Sequence, residues 1–216
     1  MTDHGDQPLM QRALDFAFSL DASELVAQHR AQKAKHPEAN PRKLADELIR
    51  RARWKGVAVG FGTGFPSNPW TILPAAIADV GIVLRMEVIL AARIAMLFDE
   101  QYLDDNNPPY EVMIPIAGGR AMAEAVKELA IAGGKGMTKQ AIKAILTKQT
   151  LAQFKKLMLK WFGIKVGQRA IISKTLPIVG GAIGGGWNFV EVRAVGERSF
   201  RYFADREKPQ EGTPVV

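Results

Sequence analysis

Apolar residues recur at helical spacing along most of the chain, whereas the strict alternation that is typical of half-buried strands is nearly absent. Residues 8–20 predict a first helix. Asp21, followed three residues later by Glu24, resembles a capping box that opens a second helix, and this helix is expected to stop before Pro37. The pattern predicts an all-α fold.

The remaining chain continues this helical pattern. Asn40 and Pro41 form a cap and first-turn pair that opens a third helix, which is expected to continue into residues 57–61. The longest helix is predicted over residues 71–103, after a turn rich in glycine and proline. Further helices are predicted at residues 110–116, 120–131, 139–147, 151–162 and 187–204.

These elements predict a single-domain helical bundle with a long apolar central helix and a Gly-rich C-terminal helical hairpin. A chain of 216 residues that is 47% hydrophobic can bury a core without being divided into two domains. We divide it into N-terminal helices over residues 1–40, a helical domain over residues 41–204 and a flexible tail over residues 205–216.

Composition excludes several kinds of chemistry. The chain has no cysteine, so disulfides, thiolate metal sites and a cysteine nucleophile are all absent. Its three histidines lie within the first 36 residues, which leaves the apolar region without an imidazole base or metal ligand. We therefore predict no catalytic set, no metal site and no cofactor. Residues 1–7 are polar and acidic, so a secretory signal is not expected.

A basic block is the main charge feature of the sequence. The 62 residues between Glu128 and Glu191 contain ten cations and no acid, although the whole chain carries only +7. Apolar residues interleave with the lysines at helical spacing, which favours a helix lying on an anionic lipid surface. The alternative is a helix pair whose lysines simply face water. The lipid-binding candidates are Lys139, Lys143, Lys148, Lys155, Lys156, Lys160, Lys165 and Trp161.

Charged residues also interrupt the longest apolar region. Asp79 and Arg93 fall on one face of the predicted helix, where they could flank a shared pocket. Because buried charges require partners, we expect polar residues of the last helix to meet them, either in a structural ion-pair network or in a ligand site. The pocket candidates are Asp79, Arg85, Glu87, Arg93, Asn188 and Glu191.

Two segments resemble the EcsC family of bacterial proteins. The first covers residues 174–203 and contains a Leu-Pro pair, a glycine-rich turn, an asparagine and a closing aromatic pair. The second covers residues 60–102, where a Gly/Pro turn precedes another Leu-Pro pair and a long apolar helix; residues 117–119 fit as well. The resemblance implies a bacterial, helical, membrane-associated protein and brings no catalytic role. It marks as family-pattern positions Asp79, Gly181, Gly185 and Asn188.

Three functions are compatible with these features. The leading hypothesis is a peripheral protein on the cytoplasmic face of the membrane that binds anionic lipid through the basic face and shelters an acyl chain between its helices. The alternative is a soluble helical adaptor for a protein partner such as a transporter component. A third hypothesis is a hydrolase that uses carboxylates. Specific nucleic-acid binding is not expected, because the chain has no recognisable reading module.

Overall fold

The described part of the chain is helical. The computed structural model describes residues 7–62, 72–103, 110–118, 148–175 and 180–207. Of the residues in these ranges, 86% are helical and none forms a strand, which confirms the all-α prediction. The helices are α1 Gln7–Phe18, α2 Ala22–Lys35, α3 Pro41–Gly62, α4 Ile72–Ala95, a 3₁₀ turn at Tyr110–Val112, α5 Met113–Ile116, α6 Lys148–Thr175 and α7 Gly180–Glu207.

The predicted caps explain where α2 and α3 begin. The Asp21 carboxylate accepts a hydrogen bond of 3.0 Å from the backbone N–H of Glu24. The Asn40 side chain accepts one of 2.9 Å from the backbone N–H of Lys43. Each bond satisfies one of the N–H groups that the first turn of a helix leaves without an internal partner. Both helix starts are therefore confirmed.

The long, nearly fully apolar helix predicted over residues 71–103 is not supported. Helix α4 ends at Ala95, and hydrogen-bonded turns such as Phe98 N–H to Ala95 O carry the chain onward to residue 103. It also contains four charged residues, which break its apolar character. None of the described helices combines the length and the apolar composition that crossing a bilayer requires.

Helices α6 and α7 are longer than predicted. Helix α6 begins at Lys148 and runs to Thr175. Helix α7 begins at Gly180, inside the glycine run that we expected to precede it, and runs to Glu207, past the expected start of the tail at residue 205. A glycine costs only about 1 kcal/mol in a helix interior, so tertiary packing can override it. The helices expected at residues 120–131 and 139–147 lie outside the described residues.

The core is built where α7 packs against α3 and α4, with α1 and α6 on other sides of α4. Gly196 of α7 lies where α7 approaches α3 and α4 closely, since a Cβ atom added there would clash with Ile49 Cγ1 and would lie 2.9 Å from Ile49 Cδ1 and 3.3 Å from Leu90 Cδ2. Each buried aliphatic side chain contributes about 1.5–3 kcal/mol to stability. Fully buried apolar side chains of this core include Leu84, Val88, Ile94, Met158, Phe162, Val192 and Val195.

Candidate functional site

Part of the predicted basic face is exposed on α6. Lys156 and Lys160 are exposed, and Ile164 and Gln168 continue the same four-residue spacing, so these side chains form one stripe along the helix. Ile164 is 55% exposed although it is a large apolar residue. The stripe therefore combines positive charge with an exposed apolar side chain.

Four other lysines of the predicted face cannot be placed in the same way. Lys139 and Lys143 lie outside the described residues. Lys148 and Lys155 belong to α6, of which only the backbone is described at those positions.

Lys165 and Trp161 are turned toward the body of the protein. Lys165 forms an ion pair with Glu191 of α7, and its ammonium lies 5.3 Å from the centroid of the Trp161 ring. Trp161 is partly buried against the core. The Trp187 indole N–H also donates to Glu191, at 3.1 Å. Lys165 is therefore already engaged with an acid, whereas the described part of the chain offers no ion pair to the exposed Lys156 and Lys160.

Glu87 and Glu191 meet at a small cavity between α4, α6 and α7. The cavity has a volume of about 30 Å³ and is also lined by Trp161, Lys165 and Trp187. Glu87 is only 2% exposed. This volume accommodates about one water molecule, which is too little for the substrate of a carboxylate hydrolase. Within the described ranges, no group of three or more potential metal-ligating side chains is found.

Arg85 caps a different helix. One of its guanidinium nitrogens donates to the carbonyl oxygens of Phe16 at 2.5 Å and Ser19 at 2.6 Å, at the C-terminal end of α1. Its guanidinium also lies 4.6 Å from the centroid of the Phe16 ring. A cation at this end of a helix satisfies its last carbonyl groups and is favoured by its dipole. Arg85 thus has a structural role.

Asp79 and Arg93 do not share a pocket. Asp79 is partly buried near the start of α4, and it does not line the groove to which Arg93 belongs. Arg93 donates to the side-chain oxygen of Gln32 on α2 at 3.1 Å, so its partner is not on the last helix as we expected. At this position α4 faces Gln32 of α2, whereas α7 approaches α4 at Leu90, where Gly196 lies against the leucine side chain.

Asn188 joins α7 to α3. Its side chain is fully buried, and its amide nitrogen donates to the backbone carbonyl oxygen of Gly56 at 3.1 Å. A Cβ atom on Gly56 would lie 3.4 Å from Val192, so the two helices are in close contact at this point. The contact brings the end of α3 beside the start of α7.

Large apolar side chains are exposed where these two helix ends meet. Trp54 of α3 is 64% exposed, and Trp187 and Val190 of α7 are 50% and 67% exposed. The Trp54 ring packs edge-on against Phe189, with 5.6 Å between the centroids. The Arg53 guanidinium covers the same Phe189 ring at 3.6 Å. The result is an exposed aromatic and aliphatic patch with a cation in contact with it.

Positive charge is concentrated beside this patch. Burial lowers the pKa of Arg53, and the positive charge of Arg193 on α7 lowers it further, so the two guanidinium groups lie near one another. Among the described residues, neither forms an ion pair with an acid. Sequence reasoning missed this site, although residues 50–55 contain four cations and a tryptophan in six positions.

A larger groove lies on another side of α3. It has a volume of about 680 Å³, within the range of ligand pockets, and it separates α2 from α3 and α4. Its lining residues are Gln28, Ala31, Gln32, Lys35, His36, Glu47, Leu48, Arg51, Ala52, Trp54, Lys55, Met86, Ile89, Leu90 and Arg93. Of the residues that the sequence marked, only Arg93 belongs to it.

Comparison with known proteins does not assign this geometry to a family. The chain matches no family model, no curated protein and no solved structure. The evidence for a function therefore lies in the surfaces and contacts of the described residues.

Proposed function

We propose that the protein binds peripherally to bilayers of anionic lipid through a continuous surface on α3, α6 and α7. Trp187 lines the small cavity together with Trp161 and Gln168 of α6, so the α6 stripe and the aromatic patch are neighbours. We call the two together the lipid-facing surface, which comprises the partly buried Arg53 and the exposed Trp54, Lys156, Lys160, Ile164, Trp187, Val190 and Arg193.

The observation that carries this proposal is the exposure of two tryptophans and Val190 beside the Arg53 and Arg193 guanidinium groups. Tryptophan is enriched at the level of lipid headgroups, because its indole has an apolar body and a polar N–H. Exposed apolar side chains in one patch commonly mark an interaction site. Nearby cations select an anionic partner, so a surface with both properties fits an anionic bilayer.

Electrostatic attraction and burial of apolar side chains contribute to the free energy of membrane binding on comparable scales. Each cation close to an anionic leaflet contributes about 1 kcal/mol at physiological salt or below. This contribution is screened as salt rises. Burial of exposed apolar side chains is not screened, so part of the binding should survive in high salt. We therefore expect binding that weakens with salt without disappearing.

Two further proposals accompany this function. The cytoplasmic face of the inner membrane is the proposed location, because anionic lipids give that surface its negative potential. Membership of the EcsC family, from the resemblance in residues 60–102 and 174–203, likewise stays a proposal.

Co-sedimentation with vesicles tests the lipid proposal. Binding to phosphatidylglycerol vesicles should exceed binding to phosphatidylcholine vesicles, and Lys156→Glu combined with Lys160→Glu should weaken it about tenfold or more. Lys43→Glu is the matched control, because Lys43 is an exposed lysine at the other end of α3. Equal binding to both vesicle types, unaffected by salt and by the double variant, would overturn the proposal. Capture of an acidic protein without any vesicle binding would favour the adaptor instead.

A further inference from the structure

The groove between α2, α3 and α4 has an apolar floor. Leu48 and Leu90 are 4% and 3% exposed and belong to the hydrophobic core, so the floor is rigidly packed from below. Ala52, Met86 and Ile89 extend this apolar surface along the groove. A polar ligand would gain little from such a floor, whereas an alkyl chain laid on it would leave water.

The walls of the groove are positively charged. Four cations face one acid, Glu47, and the ion pair between Glu47 and Arg51 neutralises only one of them. Within the described part of the chain, no ion pair is found for the other three, which are Lys35, Lys55 and Arg93. This excess of positive charge beside an apolar floor fits an amphiphile with an anionic head.

Arg93 and Gln32 offer donors at one position of the wall. The Arg93 Nη2 atom donates to Gln32 Oε1, which orients both side chains. Arg93 Nε and Gln32 Nε2 are buried, and neither donates to any residue that the structure describes. Buried donors normally have partners, because leaving one unsatisfied costs about 1–3 kcal/mol. Both side chains line the groove, so an anionic head bound there would lie beside these donors.

The Arg93 charge is also poorly solvated. Burial lowers the pKa of its guanidinium, and the charge of Arg51 lowers it further. Arginine remains protonated in proteins all the same, so the position keeps a desolvated positive charge. Charge-assisted hydrogen bonds to such a group are stronger than those between neutral groups.

We propose that this groove binds a single acyl chain with an anionic head, with the chain on the Leu48–Leu90 floor and the head on Arg93 and Gln32. Trp54 lines the groove and also belongs to the lipid-facing surface, so the groove opens beside the proposed membrane contact. The inference deepens the proposed function, because it assigns the chemistry of the lipid that the protein would take from that membrane.

Calorimetric titration of the full chain with dodecanoate, below its micelle concentration, tests the groove without a membrane. We expect saturable binding, and we expect dodecanol, which has the same chain without a charge, to bind at least about tenfold more weakly. Dodecyl phosphate distinguishes the two kinds of head: tighter binding than dodecanoate would assign a phosphate head to the site. Equal affinity for dodecanol, or no binding of either anion, would overturn the proposal.

Three variants place the ligand. Arg93→Gln should weaken dodecanoate binding about tenfold or more, because it removes the charge at the head. Ala31→Trp fills the groove and should abolish binding, whereas Ala34→Trp, at an exposed position of α2 outside the groove, should leave it unchanged. Unchanged binding in Ala31→Trp, with folding verified by circular dichroism, would exclude the groove.

Different experimental results would contradict the membrane proposal and the groove proposal. Loss of vesicle binding in the Lys156 and Lys160 variant, with dodecanoate binding intact, would support both of them. Failure of wild-type protein to bind vesicles while it binds dodecanoate would remove only the membrane proposal. Vesicle binding without dodecanoate binding would remove only the groove.

Discussion

The side-chain amide of Asn188 donates to the backbone carbonyl oxygen of Gly56 at 3.1 Å, and this buried bond joins α7 to α3 across 132 residues of sequence. The same two helices carry the exposed side chains of Trp54, Trp187 and Val190. The bond therefore sets the relative position of the two helix ends on which the lipid-facing surface depends.

Asn188→Ala should lower the free energy of unfolding by about 1–3 kcal/mol, because it removes this bond and leaves a gap in a fully buried position. Urea denaturation followed by circular dichroism measures the change. Gln168→Ala, at an exposed amide on α6, should change stability by less than about 0.5 kcal/mol. A similar effect for both variants would contradict the role of the buried bond.

Gly196→Ala should destabilise the protein although alanine is the better helix former. The added methyl would be 2.9 Å from Ile49 Cδ1 and 3.3 Å from Leu90 Cδ2, and such overpacking costs about 1–3 kcal/mol. Gly167→Ala is the control on α6, where an added Cβ meets nothing within 4 Å. That variant should gain up to about 1 kcal/mol from helix propensity. Thermal unfolding of the two variants should move in opposite directions.

Stability should fall as pH decreases from about 7.5 to about 5, because of His29. Burial lowers the pKa of His29 below its ordinary value of 6.5. Below pH 6.5 the unfolded chain therefore takes up the proton more readily than the folded chain, which favours unfolding. Above about pH 7.5 the histidine is neutral in both states, so the loss is absent.

His29→Gln should flatten this part of the stability curve, while His36→Gln, at an exposed position, should retain it. Urea unfolding at several pH values in this window measures the slope. Most carboxylates titrate below this pH window. The pKa of Glu197, for example, is lowered by its hydrogen bonds with Arg42, which moves its titration away from the window. An unchanged slope in His29→Gln would assign the effect to another group.

Arg42 and Glu197 form a bidentate ion pair, with two parallel hydrogen bonds, which a lysine at position 42 cannot reproduce. The guanidinium donates to both carboxylate oxygens, at 2.8 and 2.9 Å, and lies 5.0 Å from the Phe200 ring centroid. Because the Arg42 side chain is 43% exposed, Arg42→Lys should cost only about 0.5–1 kcal/mol in chemical denaturation. Lys43→Arg, at the neighbouring exposed lysine, should leave stability unchanged.

Val190→Asp should weaken binding to phosphatidylglycerol vesicles about tenfold or more, because it places an acid in the lipid-facing surface. Val190 is 67% exposed, so folding should be unaffected. Leu9→Asp is the matched control: it introduces the same charge at another exposed apolar residue, on α1. Equal losses in the two variants would attribute the effect to net charge, and the lipid-facing surface would then be wrong.

Local signals in the sequence predict the helices better than they predict the site. Asp21 and Asn40 each cap a helix by a hydrogen bond to a backbone N–H three residues later in the chain. The starts of α2 and α3 could therefore be predicted from the local sequence alone. The end of α4 could not, because Ala95 is followed by residues of helical pattern, with no proline before Pro108. The chain leaves the helix there through turns that only the packing of the folded protein determines.

The candidate site depends on contacts between distant residues. Arg93 was identified as a charge that needs a partner, but its partner Gln32 lies 61 residues away on a helix with a weak apolar face. Lys165 looked equivalent to Lys160 in the sequence, and only the position of Glu191 on α7 distinguishes them. Periodicity indicates which residues share a helix face, but not which helix covers that face.

The hydrogen bonds from Arg85 to the end of α1 have a consequence for synthesis of the chain. Helix α1 has 12 residues, which is too short to be stable by itself in water. Its final carbonyl groups depend on a side chain that follows 69 positions after Phe16, and its Ala13 packs 3.1 Å from where a Cβ of Gly81 would lie. Helix α1 should therefore be held in its final place only after α4 has emerged from the ribosome.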